Sequence, residues 1–90
     1  MTPIRRSLYF RGRVQGVGFR WTTSRTMQDL PLAGFVRNLG DGTVELVLEG
    51  EPDEVENGVE LLQEKMGAFI DSVDFTDSPS TGEFSGFSIR

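Results

Sequence analysis

Ninety residues leave room for one domain, and the absence of cysteine and histidine excludes disulfides, thiolate or imidazole catalysis and any Cys/His zinc centre. A hydrophobic share of 37% with seven phenylalanines can fill a modest core, and no apolar run approaches the roughly 20 residues that would cross a bilayer. The net charge of −5 is split: residues 1–37 carry seven arginines against one aspartate (+6), while residues 38–90 carry −11, which suits a small anionic ligand and opposes wrapping a long polyanion such as nucleic acid.

Met1 to Arg6 lacks the apolar stretch of a secretory leader, so a cytoplasmic location is expected. Ser7 to Val14 reads as a strand, with Leu8, Phe10 and Val14 on one face and Tyr9, Arg11 and Arg13 on the other. Gln15-Gly16-Val17-Gly18 breaks the alternation as a loop. A helix is predicted from Phe19 or Arg20 to Leu30, stopped by Pro31 and Leu32-Ala33-Gly34, with Trp21, Met27 and Leu30 as a thin apolar stripe. Phe35 to Asn38 and Thr43 to Glu49 are the next strands, joined by the hairpin Leu39-Gly40-Asp41-Gly42. In the second of them Val44, Leu46 and Leu48 alternate with Thr43, Glu45 and Glu49, which predicts one buried and one wet face.

Glu51-Pro52-Asp53-Glu54 opens a second helix, with proline and acids where a helix start accepts them. Val55, Val59, Leu62 and Met66 recur at helical spacing, and Gly67 ends the run. Phe69 to Phe75 reads as a fourth strand and Phe87 to Ile89 as a short last one. The order β-α-β-β-α-β plus a terminal strand predicts a single α+β domain over residues 1–90, two helices covering one face of an antiparallel sheet. Trp21 and the phenylalanines are core candidates.

The chemistry concentrates in Gly12-Arg13-Val14-Gln15-Gly16-Val17-Gly18-Phe19-Arg20. A strand runs into two closely spaced glycines and then directly into a helix. Glycines let successive backbone N–H groups turn into one concavity, and the helix start adds unsatisfied donors and its positive dipole end, an arrangement that binds phosphate. Arg20 can close such a cradle with a planar, permanently charged fork. On spacing alone a simple strand-to-helix turn with a surface arginine explains the pattern equally well, and neither a nucleotide P-loop nor a dinucleotide fingerprint is present.

Gly12-x-Val14-Gln15-Gly16-Val17-x-Phe19-Arg20 resembles the signature loop of the acylphosphatases. Gly34-Phe35-Val36-Arg37-Asn38, followed by Gly42-x-Val44 and Gly50, resembles a second block of that family, and Gly82 to Arg90 resembles its ending. The likeness spans essentially the whole chain. It departs at Phe10, where an aliphatic residue is usual, at Phe35, where tryptophan is more frequent, and in the hydroxyl-rich Trp21-Thr22-Thr23-Ser24.

The resemblance implies a ferredoxin-like sandwich and a hydrolase that cleaves the carboxyl–phosphate bond of acyl phosphates without cofactor or metal. It implies that Arg20 binds the phosphate together with the backbone of Gln15, Gly16, Val17, Gly18 and Phe19, and that Asn38 positions the attacking water. The expected partners are a small-molecule acyl phosphate and inorganic phosphate, as product and inhibitor, for a monomer that binds neither nucleic acid nor membrane. Such chemistry suits a chain without histidine, because the carboxylate leaving group needs no general acid. Read without the resemblance, Asn38 fits a cap of the 39–42 turn better than a catalytic role. Arg5, Arg6, Arg11, Arg13, Arg25 and Arg37 are expected to add only a collective positive field. Two other readings are a binding module resembling RNA-recognition domains, which share the βαββαβ order, and a non-catalytic acylphosphatase-like domain of a larger carbamoyl-transfer assembly.

Overall fold

In the computed structural model, which describes residues 2–90, the elements follow the expected order: β1 (Ile4–Gly12), α1 (Phe19–Gln28), β2 (Ala33–Asn38), β3 (Val44–Gly50), α2 (Pro52–Met66), β4 (Ile70–Pro79) and β5 (Phe87–Ile89), with a 3-10 turn over Gly67–Phe69. Met1 lies outside the described residues. The sheet order is β4-β1-β3-β2-β5. The first four strands pair antiparallel, and β5 joins the far edge parallel to β2. The fold is the ferredoxin-like α+β sandwich. Each helix connects two parallel strands that are not adjacent, which leaves room for β1 and β3 to interleave at the centre.

Leu8 and Phe10 of β1, Val36 of β2, and Val44, Leu46 and Leu48 of β3 face the helices and are fully buried. Against them pack Phe19 and Met27 of α1 and Val55, Val59, Leu62 and Met66 of α2. The α2 stripe is therefore as its spacing predicts. For α1 it is not: the buried residues are Phe19, Thr23, Ser24, Thr26 and Met27, while Trp21 is 63% exposed. Hydroxyls can line this interface because they are satisfied locally. Thr23 Oγ1 donates to the Phe19 carbonyl and Thr26 Oγ1 to that of Thr22, each at 2.8 Å. Thr26 Oγ1 also accepts from Lys65 Nζ of α2 at 2.9 Å, which ties the two helices together.

The wet face expected for β3 is also covered. Glu45 and Glu49 are only 8% and 5% exposed. Glu49 accepts from Ser80 Oγ, from the amide and hydroxyl of Thr81 and from the Gly82 amide, all within 3.0 Å. Segment 80–86 is thereby clamped across the back of the sheet, where Phe84 meets Phe35 edge-on with centroids 5.8 Å apart. Other boundaries move as well. β1 ends at Gly12, leaving Val14 buried but in the loop; α1 stops at Gln28 rather than Leu30; and β4 continues past Phe75 to Pro79. Phe75, on an edge strand, is exposed and lies under the Arg6 guanidinium, 4.3 Å from the ring centroid.

Candidate functional site

The loop between β1 and α1 is pinned at both ends by core residues. Val14 is fully buried, and Phe19 packs on Phe10 with centroids 5.2 Å apart. Between them the Gln15 side chain points away from the loop, its Nε2 donating to the carbonyls of Leu39 (2.8 Å) and Thr43 (3.0 Å) on the β2–β3 hairpin. Gly16 and Gly18 adopt φ of 79° and 77°, a backbone that side chains rarely permit. A Cβ at either would meet nothing within 4 Å, so glycine serves the curl of the backbone and not close packing.

Gly18 caps α1 with no side-chain hydrogen bond, and the first turn holds no acid. The first amides of the helix and its positive dipole end are thus unopposed. Gly16, Gly18, Phe19 and Arg20 line a pocket of about 230 Å³ together with Trp21 and Ile89.

Arg20 differs from the other seven arginines. Arg5 pairs with Glu83 and Glu49, Arg6 with Asp77 and Glu56, Arg11 with Asp74, and Arg37 with Glu45. Arg13, Arg25 and Arg90 lie over aromatic rings. Among the described residues Arg20 alone has neither a carboxylate nor a ring partner. The positive field expected of the basic half is therefore largely cancelled: β1 and β2 meet their counter-charges across the sheet and on α2. What survives is carried by Arg13, Arg20 and Arg25, around the loop and α1.

Asn38 ends β2 opposite Val44, which in turn lies opposite Phe10, so it projects on the helix side of the sheet. It neighbours Leu39, whose carbonyl receives Gln15, and this tether brings the loop to the hairpin. Its Oδ1 is buried and has no hydrogen-bond partner among the described residues. The turn does not use it. Asp41 Oδ1 accepts instead from the Thr43 amide (3.0 Å) and hydroxyl (2.6 Å), bonds that hold the Asp41 carboxyl below its usual range. Asn38 is not among the residues lining the pocket, and neither is Val17 or Gln15.

Two pocket residues escaped the sequence reading. Ile89 arrives from β5, the short last strand, whose pairing with β2 no local pattern announces. Trp21 was assigned to the core, although Phe19, Thr23 and Met27 recur at i, i+4 and leave Trp21 on the opposite side of α1. That spacing was legible. Among the described residues no three acidic groups gather in a geometry that could hold a metal ion.

The Acylphosphatase family model matches residues 6–89. An acylphosphatase of Thermococcus kodakarensis is 57% identical over 56 residues, 62% of each chain, and one of Thermobifida fusca is 41% identical across the full length of both. Among solved structures, the acylphosphatase from Bacillus subtilis superposes with a TM-score of 0.86 at 30% identity, covering 97% of this chain and 98% of that one. HypF of Thermococcus kodakarensis contains a similar unit: TM-score 0.80, 33% identity, 94% of this chain but 11% of HypF.

Proposed function

The chain belongs to the acylphosphatase family, whose reaction is hydrolysis of acyl phosphates, and we propose that the 15–20 loop, Arg20 and Asn38 carry that reaction here. The loop amides and the Arg20 fork hold the non-bridging oxygens of the phosphoryl group, spreading its charge over fixed donors. Phosphoryl transfer needs little more than such positioning and charge stabilisation. The Asn38 carboxamide orients a water in line with the phosphorus–oxygen bond. The water oxygen attacks phosphorus, the bond to the carboxyl oxygen breaks, and its electron pair leaves on the carboxylate. A phosphate oxygen takes the proton of the water, because no histidine is present and a carboxamide is a poor base. The observation that carries the reading is the unpartnered Arg20 at an uncapped helix start. The unused, buried Asn38 Oδ1 supports it.

The RNA-recognition reading loses support on the sheet face opposite the helices. There Tyr9 donates to Glu45 at 3.1 Å instead of offering a free ring, and segment 80–86 covers Glu49. A binding-only role is an outcome of the test. Purified protein in EDTA should hydrolyse acetyl phosphate, with inorganic phosphate inhibiting competitively and raising Tm. Arg20→Lys should lose most of the activity while staying folded, because lysine keeps the charge without the fork. Phosphate binding without turnover would establish the binding-only role, and a near-wild-type Arg20→Lys enzyme would reduce Arg20 to general electrostatics.

A further inference from the structure

Exposed large apolar side chains are few among the described residues: Val17 (36%), Trp21 (63%), Phe75 (56%) and Ile89 (45%). Three of these four gather at the loop. Trp21 and Ile89 line the same pocket as Gly16, Gly18 and Arg20, and Val17 lies between the two lining glycines. A tryptophan left this open is unusual, since its large apolar surface gains from burial. Here the sequence spends it one residue after Arg20, on a helix that buries Thr23, Ser24 and Thr26 beside Phe19 and Met27 instead. The Arg25 guanidinium, one turn on, sits 5.4 Å from the indole centroid and restrains the ring where it is. The pocket of about 230 Å³ is below the roughly 300–1,000 Å³ of drug-sized sites, so its ligand is small.

Resting on the reading that Arg20 and the loop hold a phosphoryl group, we infer that Trp21, with Ile89, forms the acyl-group platform of the site and selects aromatic or bulky apolar acyl phosphates over the smallest ones. The occupant is fixed by covalent geometry: the acyl group is joined to the phosphate through one oxygen, and the wall next to the phosphate donors is this indole. Aromatic rings gain from offset or edge contacts on tryptophan beyond the area they bury, whereas an acetyl or carbamoyl group offers little surface to it. Trp21 is thus a specificity-determining residue and takes no part in the bond changes.

The test compares benzoyl and acetyl phosphate on wild type, Trp21→Ala and Trp21→Phe, with methylphosphonate and phenylphosphonate as non-hydrolysed competitors. Wild type should favour benzoyl over acetyl phosphate in kcat/KM. That ratio should fall about tenfold in Trp21→Ala, mainly through the KM for benzoyl phosphate, and largely recover in Trp21→Phe. Phenylphosphonate should compete more tightly than methylphosphonate in wild type and lose that advantage in Trp21→Ala. It should also perturb the emission of Trp21, the only tryptophan in the chain. An unchanged benzoyl-to-acetyl ratio in Trp21→Ala, with both substrates turned over, overturns the platform and leaves the phosphate site standing. A wild-type protein that turns over neither substrate and is blind to phosphate overturns both.

Discussion

At Asn38 a carboxamide oxygen is buried with no donor among the described residues, an arrangement that costs about 1–3 kcal/mol in a folded protein. Retaining it makes sense if a water donates the missing hydrogen bond during the reaction. Asn38→Ala should therefore lower kcat steeply, on the order of 10²-fold, while KM and phosphate inhibition barely move and Tm holds or rises. A variant that melts several degrees lower with kcat intact would return Asn38 to the turn. Glu49 sets a different expectation. Burial alone would push its carboxyl up, but the Thr81 amide, the Ser80 and Thr81 hydroxyls and the Gly82 amide outweigh that and hold it down to about 2 from an ordinary 4.5. A carboxyl depressed on folding contributes its full stability above its unfolded value and loses it as pH falls through the folded one. For Glu49 that loss runs from about pH 4.5 towards 2 and is on the order of 3 kcal/mol. Glu49→Gln should melt lower at pH 7, and the gap to wild type should close on acidification through that window. A gap independent of pH would show that packing, not ionisation, is what Glu49 supplies. Arg20 and Asn38 could be singled out as candidates in the sequence because they sit in compact blocks that resemble the family's motifs. Glu49 was not: strand alternation placed it in water, and only a segment thirty residues further on buries it.

The loop and the hairpin are separate elements that the Gln15 side chain bridges. Gln15 Nε2 reaches two hairpin carbonyls, each of which already has a backbone donor: Gly42 N–H for Leu39 and Leu39 N–H for Thr43. Gln15→Leu consequently strands no acceptor, and its cost should be an ordinary one, about 1–2 kcal/mol, read as a few degrees in Tm. The functional effect should be larger in kind. With the loop released from the hairpin that carries Asn38, both phosphate inhibition and kcat should weaken, several-fold each. Unchanged phosphate inhibition would mean that the loop holds its curl without the tether. Elements with their own periodicity, such as α2 with its proline start and i, i+3, i+4 stripe, were readable outright. The α1 face was misread because threonine and serine bury here by bonding the preceding turn, which a hydrophobic pattern does not register. The β4 boundary was misread because an edge strand is defined by its partner β1, not by its own alternation of acids and hydroxyls.

At the scale of the molecule, the basic first stretch of sequence and the acidic remainder fold onto each other. Arg6 and Arg11 of β1 meet Asp77 and Asp74 of β4, and Arg37 of β2 meets Glu45 of β3. The exposed pair among them, Arg11 with Asp74, adds little to equilibrium stability, about 0–1 kcal/mol, and salt should scarcely shift Tm through it. Composition and order made the fold class legible. The cancellation of charge was not, because it depends on which strands become neighbours. Its larger consequence concerns the route to the fold. Pairing β1 with β4 joins residues 4–12 to residues 70–79, the longest loop closure the chain must make and the kind of contact that slows folding. In the unfolded chain the two ends carry opposite charge and attract over a Debye length that shrinks from about 30 Å at 0.01 M salt to about 3 Å at 1 M. Charge thus acts as a long-range guide before any strand exists. Refolding followed by far-UV circular dichroism should slow several-fold as sodium chloride rises across that range, with unfolding nearly unaffected. A refolding rate flat in salt would mean that hydrophobic collapse brings β1 to β4 unaided.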